Sequence, residues 1–108
     1  MTRLFIITIL ITMIIAIAEI ELFLPYCHSL KEKRSIIKSL IDSLGKNNNI
    51  SIKEIKYRDM WQRSLLGITS ICNNTSSAQK FLNMIKNKIY EKDGTQITKF
   101  NSSIHLTE

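Results

Sequence analysis

Apolar and polar positions early in the chain alternate with the two-residue period of a strand. Ala16, Ala18, Ile20, Leu22 and Leu24 fall on one side, and Glu19 and Glu21 on the other. Pro25 ends this strand, since it has no N–H for a ladder and biases its predecessor toward extended geometry. The period then becomes helical. Ser29 and Glu32 form a capping box, in which the hydroxyl accepts the backbone N–H at Glu32 and Glu32 reaches back. Leu30, Ile37, Leu40, Ile41 and Leu44 make the stripe of a helix over 30–44, closed by Gly45. Lys46, Asn47, Asn48 and Asn49 read as a loop.

Ile50, Ile52, Ile55 and Tyr57 predict a second strand whose phase slips once, as at a bulge. A short connection through Arg58, Asp59, Met60 and Trp61 leads to a third apolar stretch over 65–72. Asn74 or Thr75 can cap a second helix that buries Ala78, Phe81, Leu82, Ile85 and Ile89, with Gly94 at its C′ position. Residues 97–106 read as a last strand. The order β-α-β-β-α-β predicts an α+β, ferredoxin-like split β-α-β fold (βαββαβ): a four-stranded antiparallel sheet with two helices on one face.

The N-terminus supports two readings. Residues 4–18 are fifteen uncharged residues behind Arg3, ending in Ala16-Ile17-Ala18, which is the layout of a secretory signal. A membrane span is disfavoured, because fifteen helical residues cover only ~22 Å of a ~30 Å bilayer core. Nine of the fifteen are β-branched, which suits an extended strand, and cleavage after Ala18 would cut the first strand in half. The expectation is an apolar extension over residues 1–12, with Met13 as a second candidate start, ahead of a single domain over 13–108. Export remains the alternative if residues 1–18 act as a signal.

Composition narrows the classes. A chain of 108 residues is enough for one core, and 44% apolar content with 3 Gly and 1 Pro excludes disordered and collagen-like chains. Fifteen Lys and Arg against nine Asp and Glu give a formal charge of +6. An excess of Ile and Lys with only three Ala fits an A/T-rich coding sequence, so basicity alone does not name a nucleic-acid partner.

Two cysteines are too few for a disulfide scaffold. Cys27 follows the first strand and Cys72 ends the antiparallel third, a separation of ~30 Å against a disulfide limit of ~7 Å. Reduced thiols and a cytoplasmic location are expected. Cys27, His28, Cys72 and His105 lack C-x-x-C or H-x-x-x-H spacing, so neither a metal nor a cofactor is predicted. There is no P-loop, Rossmann glycine pattern or G-x-S-x-G, and no nucleophile or acid is placed beside His28. No enzymatic activity, small-molecule substrate or membrane partner is expected.

At Leu24-Pro25-Tyr26-Cys27-His28-Ser29-Leu30-Lys31-Glu32-Lys33-Arg34 the sequence resembles the YlxP-like family of small bacterial proteins. The likeness continues in Ile36-Ile37-Lys38-Ser39-Leu40 and in Asp59-Met60-Trp61-Gln62-Arg63, followed by Leu66-Gly67. These anchors span Met13 to about Gly94; residues 1–12 have no counterpart and the tail after Gly94 matches weakly. The resemblance implies a ferredoxin-like fold and a cytoplasmic protein starting near Met13. It also implies a family without an established activity, commonly encoded beside translation and ribosome-maturation factors.

Two surfaces follow. Lys31, Lys33, Arg34 and Lys38 gather on the first helix, where cations beside a helix N-terminus suit a phosphate backbone; the alternative is a solvated face with Glu32 and Asp42 interspersed. Residues 29–59 carry eight cations and four anions, whereas 13–28 carry only Glu19 and Glu21. Those acids disfavour base stacking on the open sheet, so helices and loops are the expected RNA contacts. Trp61, Gln62 and Arg63 begin the third strand, which the topology sets against the end of the first, near residues 26–29. Trp61 could stack on a base and Arg63 hold a phosphate or carboxylate; alternatively Trp61 plugs the core and Arg63 pairs with Glu21 or Asp59. Ile15, Ile17 and Phe23 fall on the open sheet face, where a symmetric homodimer could cover them, or residues 1–12 could do so instead. The leading expectation is a small non-enzymatic protein that binds RNA or a ribosomal particle, linked to ribosome maturation or translation. The alternative is a homodimeric structural or protein-interaction module with no nucleic-acid role.

Overall fold

A computed structural model describes residues 13–46 and 49–107. The segment 1–12, and with it the choice between signal and extension, lies outside the described residues, as do Asn47 and Asn48 of the predicted loop. Six elements follow in order: β1 (Met13–Phe23), α1 (Leu30–Leu44), β2 (Ser51–Lys56), β3 (Arg63–Cys72), α2 (Thr75–Tyr90) and β4 (Gln96–Thr107). The strands form one antiparallel sheet in the order β2-β3-β1-β4, the split β-α-β arrangement.

Alternation places the core. Ala16, Ala18, Ile20 and Leu22 on β1 and Leu66 and Ile68 on β3 are buried on one side of the sheet, where Ile37, Leu40 and Leu44 of α1 and Ala78, Leu82, Ile85 and Ile89 of α2 meet them. α2 packs across β1, β4 and β3. Among the described residues, the opposite side carries no helix.

Local signals act largely as the residue types dictate. Ser29 Oγ accepts the N–H of Glu32, as in a capping box, but Glu32 Oε2 accepts from the N–H of His28, one residue before the cap. Asn74 caps α2 by accepting the N–H of Ser77. The phase slip in β2 is a bulge at Ile55, between Glu54 and Lys56, and β4 has a second irregularity at Thr98, opposite the step from Glu21 to Leu22. Gly94 is not the C′ residue of α2. The helix ends at Tyr90 with Glu91 as its cap, and Gly94 turns the chain toward β4 with φ +82°. β3 starts at Arg63, two residues before the predicted apolar stretch, because Arg63 and Ser64 pair with Phe23 and Leu22.

Candidate nucleic-acid interface

The two sequence motifs meet where the topology sets them. Gln62 Nε2 donates to the carbonyls of Pro25 and Cys27, each at 3.2 Å, and the N–H of Leu24 donates to the carbonyl of Gln62 at 2.8 Å. This clasp brackets Tyr26 and anchors Gln62, the residue after Trp61. Tyr26 is 76% exposed and Trp61 51%, so Trp61 does not plug the core. Exposed Met60 and Phe23 flank the same corner, and a groove of about 410 Å³ runs past Phe23, Met60, Gln62, Arg63 and Thr98.

Arg63 is committed within the fold. Its Nη2 donates to Glu21 Oε1 at 2.9 Å, and its guanidinium lies 3.9 Å from the centre of the Tyr57 ring. Thr98 Oγ1 donates to the other carboxylate oxygen of Glu21 at 3.0 Å. Arg63, then Thr98, hold the Glu21 carboxyl below its usual value. The Glu21 pairing is therefore the role the geometry gives Arg63.

The basic helix divides. Lys31, Arg34 and Lys38 are exposed, but Lys33 is 1% exposed and points into the protein. Its ammonium sits 2.9 Å from Glu54 Oε2 and donates to the carbonyl of Tyr57. Ser64 Oγ, also buried, donates to the same carboxylate oxygen. The expectation that Lys33 binds phosphate is thus corrected. It sits on the apolar stripe of α1 between Leu30 and Ile37, and its charge is used to tie α1 to the β2–β3 connection. Tyr57 follows β2 with φ +67°, a left-handed backbone that costs a non-glycine residue ~1–2 kcal/mol. Its carbonyl accepts from both Lys33 and the N–H of Met60, which stabilises that turn.

Cys27 is buried beside the clasp and Cys72 is partly buried; both are free thiols. Burial, and secondarily Glu32, raise the Cys27 pKa, with Lys33 opposing. Among the described residues, no three His, Cys, Asp or Glu side chains gather where a metal ion could sit, and no helix is long and apolar enough to cross a membrane.

A protein family described as "protein of unknown function (DUF503)" matches residues 15–102. The chain belongs to the DUF503 family. The match runs past Gly94 and takes in most of β4. A relative described as "Uncharacterized protein YlxP", from Bacillus subtilis (strain 168), is 35% identical over 71 residues, covering 66% of this chain and 77% of that protein. Among solved structures, a structural-genomics protein, YJCS, superposes with a TM-score of 0.54 at 12% identity, covering 82% of this chain and 96% of that one. A de novo designed protein with a ferredoxin fold aligns with a TM-score of 0.44 at 15% identity, over 87% of this chain and 86% of that one.

Within this DUF503 chain, the sequence singled out Trp61, Gln62 and Arg63 but passed over Tyr26, Tyr57 and Glu54. Glu54 was available from phase alone, because it continues the inward alternation of Ile50 and Ile52. Tyr57 was counted as a strand residue, and its left-handed backbone gives no signal in the sequence.

Proposed function

We propose that this DUF503 protein is a non-enzymatic, cytoplasmic RNA-binding protein that acts on ribosomal particles. The observation that carries the reading is the clasped corner, where Tyr26 and Trp61 are exposed at the entrance to α1. Solvent-exposed aromatic rings beside cations are the parts of a single-strand binding surface: the rings stack on bases and Lys31, Arg34 and Lys38 follow the phosphates. The free thiols suit a reducing compartment. The ribosomal part of the reading rests on the YlxP-like resemblance, which implies translation factors as genetic neighbours.

Sucrose-gradient fractionation of native lysate at low and high salt tests it. Co-migration with a ribosomal subunit at low salt, lost at high salt, is expected for electrostatic RNA binding. A protein that stays at the top of the gradient in both conditions overturns the ribosomal reading.

A further inference from the structure

We propose that a second copy of this chain covers the open sheet face, related by a two-fold axis along β3 that sets Glu19 of each copy against Lys53 of the other. This proposal does not rest on RNA binding: α1 lies on the opposite face of the sheet, and Phe23 of the aromatic corner sits at the end of this one.

On β1, β2 and β3 the face carries exposed isoleucines, while β4 presents Lys99, Asn101, Ser103 and His105 to the same side. Ile17 on β1 is 38% exposed, Ile55 on β2 48% and Ile71 on β3 56%. Ile55 is laid flat across the face: its Cδ1 and Cγ2 stand 3.3 Å from the position a Cβ on Gly67 would take. The missing side chain at Gly67 lets Ile55 lie over β3 and leaves the surface shallow enough for another sheet.

About this axis β2, β3 and β1 overlap their counterparts and β4 overhangs. Three strands ~4.8 Å apart, β2 being six residues long and the others about ten, at ~3.3 Å each, give a footprint of roughly 430 Å². Two such faces bury roughly 900 Å², the size of a weak, reversible contact.

Charge selects the axis. In register across the sheet, Gly67 lies between Glu19 and Lys53, and Leu65 lies between Glu21 and Lys56. With Glu21 already paired to Arg63, the β1 strip offers Glu19, the β2 strip offers Lys53 and Lys56, and the β3 column between them is uncharged from Leu65 to Ile71. A two-fold axis along β3 exchanges the flanks, so each Glu19 faces the partner's Lys53 in two reciprocal pairs. Leu65 and Ile71 then meet their own copies on the axis. This is the self-complementarity an isologous interface requires.

Sedimentation equilibrium on the full chain at micromolar concentrations tests the proposal, with circular dichroism to verify folding. The wild type is expected to have the mass of two chains. Glu19→Lys and Lys53→Glu should each weaken self-association by about tenfold or more, and the double reversal should restore it. Ile71→Lys, which sets two like charges together on the axis, should yield folded monomer. A monomeric wild type overturns the proposal, as does a dimer unchanged by these substitutions. A double reversal that stays as weak as the single variants overturns the proposed axis.

Discussion

Lys33 and Glu54 stand 2.9 Å apart between α1 and β2, with the lysine side chain 1% exposed. Ser64 and the Tyr57 carbonyl complete their hydrogen bonding, and among the described residues every fully buried side-chain nitrogen and oxygen has a partner. Removing one member strands the other's charge. Lys33→Met is therefore expected to cost about 3 kcal/mol, read as a lower urea midpoint. Pairing it with Glu54→Leu removes both charges and should recover most of that loss. A double variant as unstable as Lys33→Met would show that the tie to the Tyr57 carbonyl, rather than the ion pair, carries the stability.

The exposed aromatic corner gives a separate set of expectations. Trp61→Ala should weaken binding to single-stranded RNA by ~1–3 kcal/mol and leave the melting temperature nearly unchanged, since half of the ring is already in water. Lys31→Ala and Arg34→Ala should each lower the slope of log affinity against log salt by ~0.7. Fluorescence anisotropy at stepped salt concentrations reads both effects. Slopes equal to the wild type would remove α1 from the interface.

Glu21 supplies a pH signature. Its folded-state pKa lies below the usual 4.5, so its pairing with Arg63 and Thr98 stabilises the fold above that pH. The contribution is lost as pH falls through the lowered value. Glu21→Gln should accordingly be less stable than wild type at neutral pH, with the gap closing in acid. A gap that stays constant across the acid range would show that the ion pair does not contribute.

Cys27 and Cys72 should differ in reactivity. Burial raises the Cys27 pKa above its usual 9.0, leaving little thiolate at neutral pH, and the side chain is 1% exposed. Iodoacetamide should label partly buried Cys72 first and reach Cys27 only on unfolding, as peptide mass spectrometry can follow. Equal labelling of the native protein would mean that the segment before α1 opens readily.

The sequence carried the architecture because its elements are locally consistent. Ser29, Gly45 and the stripe from Leu30 to Leu44 agree on one helix, and the slipped phase around Ile55 is a real bulge. The site was harder to read. Lys33 sits among cations that look alike in a charge count, and only its helical phase separates it from Lys31 and Arg34. The anchoring of the chain just after Trp61 depends on the reach of Gln62 to two carbonyls more than thirty residues earlier in the chain, a contact no local pattern encodes. The open face combines these cases: its isoleucines are plain in the alternation, whereas the acidic and basic strips appear only once β2, β3 and β1 are set in register.

The irregularities at Ile55 and Thr98 also bear on how the protein behaves when crowded. Both interrupt the outer strands of the described sheet, in neighbouring rows, where outward-facing backbone groups could otherwise recruit another chain edge to edge. A bulged edge meets an incoming strand out of step, so hydrogen bonding cannot extend along its whole length. For a sheet this rich in isoleucine, that mismatch is a guard against fibrous growth, and it works through backbone geometry at any salt concentration.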